Sequence, residues 1–447
     1  MKIPNEHIER HFYHFTHIEN IESIVKNGLL STNKKHLNGI EHINLANESI
    51  QMRRSQMDVP CEPFGTIHDY VPFYFSSINP MLLGVLNRKN IDQPFVVFIA
   101  ISINKLLESD AIFTDASANT VILPNFYQNP KDLNKLNWKL IDSNKWQRGT
   151  DDELHSRMAE VLIYKKVPID WIESYIVFND ICRKEILRIY EENGHQKPKI
   201  AYEPFNGSYF YFTKFFIPER KNETLITGPI FLEHYYREAI KTIVDKREKM
   251  DYNSCSFINI DDALDKIGNN FCVIKELEDI FELETNNRAH SQNVSDHTME
   301  VVKNLNNEYF NDLSDKDKKI VELSAYLHDI GKGPKSKWRD GIQPVYSDHP
   351  ADAIPMVTRI LAEEFKVLSY HEIKTICLLV IYHDLIGDIL NNGRSEKELL
   401  NLEVSCNDFN MLIALSLADI SAINISWNWT IQEKLKEFVE KIRKEIS

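Results

Sequence analysis

The sequence predicts two joined domains of different class, an α+β domain followed by an all-α domain. Short apolar runs rich in β-branched and aromatic residues fill roughly the first 180 positions, whereas long amphipathic helical patterns dominate from residue 286 onward. A chain of 447 residues is also longer than one core usually organises. We therefore place the first domain at residues 1–230, a helical connector at 231–285 and the second domain at 286–447.

Short strands and short helices alternate in the first domain. Residues 71–75 and 94–103 are typical of strands, and the segment 80–86 between them predicts a helix that begins at a proline. Residues 19–30 predict an amphipathic helix closed by a glycine. The remaining predictions are a helix over 46–57, a helix or ordered loop over 133–146, a strand over 174–179, a β-hairpin over 202–212 and a helix over 231–249.

One acidic residue interrupts an apolar strand. Residues 161–164 predict a strand, and the period of two places Glu160 on the same face as Met158 and Leu162. A carboxylate among apolar side chains must pair with a hydrogen-bond donor or cation, take part in catalysis, or lie at a sheet edge that faces water. The strand alone leaves these alternatives open, including a glutamate that simply faces water.

Charge and cysteine content limit the possible partners. Residues 1–230 contain 26 basic and 28 acidic residues, whereas the whole chain has a net charge of −14. Nucleic-acid contact by the nearly neutral first domain would therefore depend on local basic clusters. The polar N-terminus and a longest apolar run of only about ten residues predict no signal peptide and no membrane span. The six cysteines lack CxxC spacing, so we expect reduced thiols and a cytoplasmic protein.

Five segments of the first domain carry its candidate functional residues in a fixed order. They are YHFTHIENIESIVKNGLLS (13–31), IQMRR (50–54), GTIHDYVPFYFSSINPML (65–82), FTDASAN (113–119) and RMAEVLI (157–163). In order and spacing, these segments resemble the DarT family of DNA ADP-ribosyltransferase toxins. The resemblance covers a core of about residues 8–180. It implies the ADP-ribosyltransferase fold, in which a split β-sheet grips NAD in a cleft. It also implies transfer of ADP-ribose from NAD to a base of single-stranded DNA, typically thymine.

The same resemblance assigns roles to individual residues. Glu160 matches the catalytic glutamate, and Arg54, or its neighbour Arg53, matches an arginine that contacts the NAD phosphate and the acceptor. The residues implied to bind NAD and to line the nicotinamide site are His14, Thr16, Asn20, Tyr74 and Met81. An acceptor base must be single-stranded or extruded from its stack, so we expect loops at residues 32–50 and 143–153 to clamp the DNA strand.

The chemistry explains why these residue types are needed. Breaking the nicotinamide–ribose bond passes through an oxocarbenium-like ribose, and a carboxylate bonded to the ribose 2′-hydroxyl holds it more strongly as positive charge develops. This is the predicted role of Glu160. The forked donors of an arginine fit a pyrophosphate, and Tyr74 can stack on the nicotinamide ring.

Ionisable side chains interrupt the apolar helical stripes of the second domain. His328 and Asp329 are adjacent in the helical segment AYLHDIGKG, and His297, His383 and Asp419 each stand at helical spacing from apolar residues. Burying ionisable groups on an apolar helix face costs free energy unless the groups pair with one another or with a metal. The pattern therefore predicts one shared polar site or metal site.

This order of residues resembles the HD phosphohydrolase superfamily, an all-helical domain with ligands in the order His, His-Asp, Asp. The resemblance implies one or two divalent ions bound by His297, His328, Asp329, Asp419 and the additional histidines His349 and His383. Imidazole and carboxylate ligands suit Mn, Fe, Co, Ni or Zn. The expected chemistry is metal-assisted attack of water on a phosphoester, with Asp329 bridging two ions and Lys332 steadying a phosphate.

Two motif sets in one chain lead to one main hypothesis and two alternatives. The main hypothesis is a DNA ADP-ribosyltransferase of toxin or phage-defence type, joined to an HD domain that is a phosphohydrolase or a regulator. In the first alternative the acidic HD domain is an antitoxin-like module that restrains the toxin or removes its product. In the second the HD domain is the main enzyme, acting on nucleotides or nucleic acid, and the N-terminal cleft senses NAD.

Overall fold

The structure is a computed structural model that describes residues 2–45, 48–108, 110–118, 123–144, 149–249, 255–286, 292–423 and 425–446. Two compact units divide the chain. The first comprises residues 1–87 and 91–213, and the second comprises residues 88–90 and 214–447. Each unit has its own hydrophobic core.

The first unit is built from short strands and short helices, as its apolar runs predict. Its strands are β1 (His11–His17), β2 (Leu29–Leu30), β3 (Tyr70–Tyr74), β4 (Val96–Ser102), β5 (Ala111–Thr114), β6 (Phe126–Tyr127), β7 (Glu160–Tyr164), β8 (Lys166–Val167), β9 (Ser174–Val177) and β10 (Ile200–Ala201). Its helices are α1 (Ile21–Asn27), α2 (Thr32–Leu37), α3 (Glu48–Ser55), α4 (Pro80–Asn87), α5 (Trp138–Ile141), α6 (Asp151–Arg157) and α7 (Asp180–Glu192).

A mixed eight-stranded sheet forms the centre of this unit. The strand order is β10, β9, β4, β1, β3, β7, β5 and β6. Strand β1 pairs along its whole length with β4, but among the residues described it pairs with β3 only where Tyr13 meets Tyr74. The sheet is therefore split between β1 and β3. On the other side of β3, the antiparallel register with β7 sets Glu160 directly across from Tyr74.

Helix α1 ends at a glycine, as the sequence predicts. Gly28 has a φ of +76°, a conformation that residues with a side chain rarely adopt. A Cβ atom at this position would also lie 2.6 Å from the carbonyl oxygen of Val167 in β8. Gly28 therefore both ends the helix and allows the chain to pass close to its neighbour.

The β-hairpin predicted over residues 202–212 is confirmed at its turn but not along its strands. A tight turn does form at residues 206–207, flanked by a single bridge, but the aromatic residues after it do not continue as a strand. Tyr211 is buried instead, and its hydroxyl lies within hydrogen-bond distance of the carbonyl oxygens of Val96 and Ile176, at 3.0 and 2.9 Å. The aromatic side chains that suggested a strand are used to cover the main sheet.

The second unit is helical. Its helices are α8 (Pro229–Arg247), α9 (Ile260–Asn269), α10 (Lys275–Ile280), α11 (Val294–Lys303), α12 (Glu308–Asn311), α13 (Asp315–Leu327), α14 (His349–Glu363), α15 (Tyr370–Tyr382), α16 (Leu385–Asn392), α17 (Glu396–Asn401), α18 (Cys406–Ile423) and α19 (Ile425–Ile446). A parallel pair of two-residue strands, β11 (Glu284–Thr285) and β12 (Ile342–Gln343), departs from the prediction of a wholly helical domain. The pair is too short to change the fold class.

Helix α18 lies at the centre of the second unit. Within the described part of the chain it is the one helix that is long and apolar enough, by length and composition, to cross a membrane. Inside the fold 61% of it is buried, and it packs against α11, α12 and α19. A helix that is apolar on all sides is expected at the centre of a core as well as in a bilayer, so this composition is weak evidence for a membrane span.

Candidate functional site

A cavity of about 280 Å³ in the first unit is lined by β1, β3 and helices α1 to α4. Most of the residues predicted to bind NAD line it, namely His14, Thr16, Asn20, Arg54, Tyr74 and Met81. Arg53 is exposed and is not part of the lining. The sequence could not decide which of the two adjacent arginines faces the site. In the structure Arg54 faces the cavity and Arg53 faces solvent.

Glu160 is buried and forms a two-point ion pair with Arg54. Arg54 Nη1 donates to Glu160 Oε1 at 2.9 Å, and Nη2 donates to Oε2 at 2.8 Å. Burial alone would lower the pKa of the guanidinium, but the carboxylate outweighs burial and raises it. Glu160 is 0% exposed on an internal strand, so the alternative of an edge glutamate facing water is wrong. Arg54 and Tyr74 line the cavity, whereas Glu160 is not part of the lining.

The loop after β5 holds one oxygen of this carboxylate. Ser117 Oγ donates to Glu160 Oε1 at 3.2 Å, and the backbone N–H of Ala118 donates to the same atom at 3.1 Å. Among the described residues Oε1 thus accepts three hydrogen bonds and Oε2 accepts one. These contacts belong to the FTDASAN segment, which the sequence analysis recognised without assigning it a role. Asn119 and Thr120 lie outside the described residues.

The predicted nicotinamide-site residues are oriented by main-chain contacts. His14 Nδ1 lies 2.8 Å from the carbonyl oxygen of Pro72, and because a carbonyl can only accept, Nδ1 carries the proton. Burial lowers the pKa of His14 to about 4, so the ring is neutral near pH 7 and its Nε2 is an acceptor. Asn20 Nδ2 donates to Thr16 Oγ1 at 2.9 Å, and Asn20 Oδ1 accepts from the N–H of Ile43 at 2.8 Å.

The two loops expected to clamp DNA are described only in part. Residues 46–47 and 145–148 lie outside the described residues. The described part of the first loop contains α2, which contributes to the cavity lining. The second loop leads into α6, which begins with a capping box between Thr150 and Glu153. The role of both loops stays a prediction.

The second unit brings together the six residues predicted to bind metal. Together with Asp384 they form three overlapping groups. The donor atoms of each group all lie within 4.8 Å of one another. The groups are His297, His328 and Asp419; Asp329, His349 and His383; and His383, Asp384 and Asp419. Asp384 directly follows His383, and the sequence offers it only as an alternative neighbour to that histidine.

Asp329 lies between two of these groups. Its Oδ2 atom is 3.3 Å from His328 Nε2 and 3.7 Å from His297 Nε2. Its Oδ1 atom is 3.3 Å from His349 Nε2. One carboxylate oxygen therefore faces each group, which is the arrangement that a carboxylate bridging two ions requires.

Three imidazoles present the same nitrogen to the centre of the site. Each Nδ1 lies close to the carbonyl oxygen three residues earlier, with distances of 2.7 Å for His328, 3.0 Å for His349 and 2.9 Å for His383. This contact fixes the proton on Nδ1 and leaves Nε2 as the lone-pair donor. His328 Nε2 is buried, and among the described residues it has no hydrogen bond of regular geometry, although Asp329 Oδ2 lies 3.3 Å away. The Nε2 atoms of His349 and His383 are only 3.1 Å apart. Lone pairs aimed together in this way fit a shared cation.

At this site nearby opposite charges shift the pKa values of His328 and Asp329 more than burial does. Burial lowers the pKa of His328, but Asp329 and Asp419 outweigh it and raise the pKa to about 9. Burial raises the pKa of Asp329, but Lys332 and His328 together hold it well below its usual value. Lys332 Nζ lies 2.5 Å from Asp329 Oδ2. The carboxylates that favour a proton on His328 would equally attract a divalent cation, which competes with that proton.

Gly331 permits the close approach of α14 to the helix end that carries His328 and Asp329. A Cβ atom at this position would lie 1.9 Å from the carbonyl oxygen of His349 and 2.7 Å from the backbone nitrogen of Ala353. Any side chain there would push α14 away and separate His349 from Asp329. The glycine of the HDIGKG motif therefore has a packing role beside the ligands.

A buried ionic cluster that the sequence analysis missed supports α14. Asp352 lies one turn after His349 and is surrounded by four donors. They are Lys214 Nζ at 3.0 Å, Arg220 Nη1 at 2.7 Å, Lys337 Nζ at 2.6 Å and the Tyr346 hydroxyl at 2.7 Å. Burial raises the pKa of Asp352, but Lys337 and Lys214 outweigh it and hold the pKa below its usual value. Lys214 and Arg220 are more than 100 residues from Asp352 in sequence, so no local pattern could reveal the whole cluster.

Replacing Asp352 with asparagine is expected to lower the unfolding free energy of the second unit by roughly 1.5–3 kcal/mol at pH 7. The reason is that buried cations lose their carboxylate partner. Because the folded-state pKa is lowered, this stabilisation is complete above the unfolded value of about 3.9 and is lost as the pH falls below it. Urea unfolding followed by circular dichroism at several pH values measures the effect. The matched control is Asp340→Asn, at a side chain that is 80% exposed, and equal losses in both variants would contradict the prediction.

The folds and sites define a chain with an α/β unit built around a cleft and a helical unit built around a His/Asp centre. Residues 13–211 match the family model described as ssDNA thymidine ADP-ribosyltransferase, DarT. Residues 288–406 match the model of the HD domain. The chain therefore carries a DarT domain in its N-terminal part and an HD domain in its C-terminal part, which confirms both resemblances.

Curated relatives match the N-terminal part. The DNA ADP-ribosyl transferase of Thermus sp. (strain 2.9) is 29% identical over 186 residues, which cover 40% of this chain and 87% of the relative. The DNA ADP-ribosyl transferase of Escherichia coli O127:H6 is 28% identical over 185 residues, which cover 39% of this chain and 83% of the relative.

Solved structures of similar proteins include Thermus sp. 2.9 DarT in complex with ADP-ribosylated ssDNA, at 25% identity and a TM-score of 0.41. That match covers 47% of this chain and 99% of the solved chain. Another is Thermosipho africanus DarTG in complex with ADP-ribose, at 20% identity and a TM-score of 0.38, covering 44% of this chain and 50% of the other.

Proposed function

We propose that the first unit transfers ADP-ribose from NAD to thymine in single-stranded DNA. The observation that carries the proposal is the buried pair of Glu160 and Arg54 beside the cavity, in a region that matches a family described by this reaction. The relatives named as DNA ADP-ribosyl transferases support the same assignment.

In the proposed reaction the bond between ribose C1′ and the nicotinamide nitrogen breaks, and nicotinamide leaves as a neutral molecule with the electron pair. A new bond forms between C1′ and thymine N3, the ring nitrogen of thymidine that carries a proton, and this proton passes to solvent. Glu160 Oε2 has the fewest donors, so we assign it to the ribose 2′-hydroxyl, which would replace the bond from Arg54 Nη2. A carboxylate there stabilises the positive charge that develops on the ribose.

The cavity side chains have matching roles in this proposal. Tyr74 lies directly across from Glu160 in the sheet, where its ring can stack on nicotinamide. The neutral His14 offers an acceptor nitrogen to a ribose hydroxyl. Arg54, released from one carboxylate oxygen, would present a guanidinium to the acceptor base.

Incubating the full chain with NAD and single-stranded oligonucleotides tests the proposal. We expect nicotinamide release and a gain of one ADP-ribosyl group per modified oligonucleotide by mass spectrometry. Both signals should be lost in Glu160→Ala and in oligonucleotides without thymine. Nicotinamide release without a change in DNA mass would reject the acceptor, and the absence of both signals would reject the reaction.

For the second unit we propose metal-dependent hydrolysis of a phosphoester. His297, His328, Asp329, His349, His383 and Asp419 would hold one or two divalent ions, and Asp329 faces histidines of both groups. When bound, a divalent ion supplies Lewis acidity for phosphoester cleavage. Lys332, already in contact with Asp329, would turn its ammonium to the phosphate. The single supporting observation is the placement of Asp329 between two histidine groups.

A regulatory role is the competing proposal for this unit. If the HD domain restrains a toxic transferase through its metal site, Asp329→Ala should make the full chain more toxic in cells than the unchanged chain. If it is a separate hydrolase, phosphoesterase activity should be lost in Asp329→Ala and kept in Glu160→Ala. Equal toxicity of the two chains would reject restraint through the metal site.

A further inference from the structure

We propose that Lys35 is the residue that binds the phosphate groups of the dinucleotide in the cavity of the first unit. The inference rests on the proposed function, and it concerns a residue of α2 to which neither the sequence patterns nor the family resemblance gave a role in NAD binding. It assigns to Lys35 the phosphate contact that the sequence analysis had given to Arg53 or Arg54.

Lys35 is a half-buried cation without a compensating acid. It lines the cavity, and within the described ranges no carboxylate lies within salt-bridge distance of its ammonium. Burial lowers the pKa of Lys35 to about 8, and no neighbouring acid opposes this effect. A lysine removed from water without a partner is unusual, because isolated buried charge is costly. An anionic ligand would supply the missing partner.

The two arginines of α3 do not fill this role in the structure. Both terminal nitrogens of Arg54 are engaged by Glu160, and the proposed function assigns the nitrogen that NAD would release to the acceptor base. Arg53 is exposed and outside the cavity lining. Asp69, which lies in sequence between the lining residues His68 and Tyr70, accepts from Asn33 Nδ2 and from the N–H of Thr66, both at 2.9 Å. Lys35 is therefore the cation of the lining that remains for a phosphate.

The polar groups around Lys35 suit an anion as well. His42 and His68 both line the cavity. Burial lowers the pKa of each ring, and nearby positive charges, including that of Lys35, lower it further. His68 is 9% exposed, and its Nε2 atom is buried without a hydrogen-bond partner in the part of the chain that the structure describes. A phosphate oxygen near Lys35 could accept a bond from a donor on this ring and would offset the unbalanced positive charge.

A dinucleotide phosphate fits these observations better than a small inorganic anion. The same cavity contains His14 and Tyr74, the proposed nicotinamide-side residues, and NAD places two linked phosphates next to the ribose that carries nicotinamide. An ammonium is a point charge that tolerates either phosphate. A DNA phosphate has the same chemistry, so the experiment must separate the two sources.

The test is the dissociation constant of the full chain for NAD and for ADP-ribose, measured by titration calorimetry without DNA. Lys35→Met should weaken both by about 10- to 100-fold, the effect of losing one hydrogen bond to a charged group. Lys35→Arg should restore most of the affinity, and binding of nicotinamide alone, which has no phosphate, should not change. The matched control is Lys34→Met, on the adjacent residue outside the cavity lining.

Several outcomes would overturn the inference. They are unchanged NAD affinity in Lys35→Met, an equal loss in Lys34→Met, or a loss confined to oligonucleotide binding measured by fluorescence anisotropy. If Lys35→Met fails to fold by circular dichroism, an unaltered affinity in a folded Lys35→Gln variant would have the same meaning. NAD binding that depends on Lys35 in a chain that never modifies DNA would overturn the proposed function and leave this inference intact.

Discussion

Replacing Arg54 with methionine is expected to slow ADP-ribose transfer strongly and to destabilise the first unit. Removing one partner of a buried ion pair leaves the other charge without compensation, which typically costs roughly 3–5 kcal/mol of unfolding free energy. Glu160 is 0% exposed and would keep only the donors from Ser117 and Ala118. The expected fall in turnover is about 100- to 1,000-fold, the usual effect of losing one electrostatic contact to a transition state.

Stability and chemistry can be separated with a second substitution. In the double variant Arg54→Met with Glu160→Gln, the uncompensated charge is gone, so most of the unfolding free energy should return while transfer is lost. Urea unfolding and the oligonucleotide mass assay provide the two measurements. Arg53→Met, at the exposed neighbour, is the control and should change neither. A stable and active Arg54→Met variant would show that the ion pair has no part in the reaction.

Replacing Asp329 with alanine is expected to remove the metal from the second unit. Asp329 faces histidines on both sides, so its loss affects both groups of ligands at once. Metal content per chain, measured by mass spectrometry of the purified protein, should fall to background. Added Mn²⁺ at about 100 times its dissociation constant should raise the unfolding free energy of the unchanged chain by about 2.7 kcal/mol and have no effect on the variant.

The control for this variant lies close to a ligand but outside the site. Asp296 is exposed and immediately precedes His297, so Asp296→Ala removes the same charge without removing a donor atom from the described groups. It should retain metal. Equal metal content in Asp329→Ala and in the unchanged chain would contradict the proposed centre.

Local sequence patterns predicted much of the fold because buried apolar side chains recur along the sequence with the period of a helix or a strand. The strand at Glu160 and the helix ended by Gly28 were readable from a few adjacent residues. The histidines and aspartates of the second unit were readable for a related reason, since each replaces an apolar residue in a helical stripe.

The sequence could not reveal partners that the fold brings together from distant positions. Arg54 and Glu160 are 106 residues apart, so neither segment alone shows that one will neutralise the other. Lys214 and Asp352 are separated by 138 residues. The strands predicted beside the turn at residues 206–207 are absent from the described structure for a different reason, because the aromatic residues that favour a strand equally favour packing on another sheet.

The carbonyl contacts of His328, His349 and His383 bear on metal selectivity. Each ring is tied to the main chain at one end of a helix, so none can swing toward an ion without moving that helix. The spacing of the donor nitrogens is consequently set by how α13, α14 and α15 pack. The site would therefore discriminate among divalent ions by their radius and preferred coordination geometry, because imidazole and carboxylate donors by themselves suit several metals.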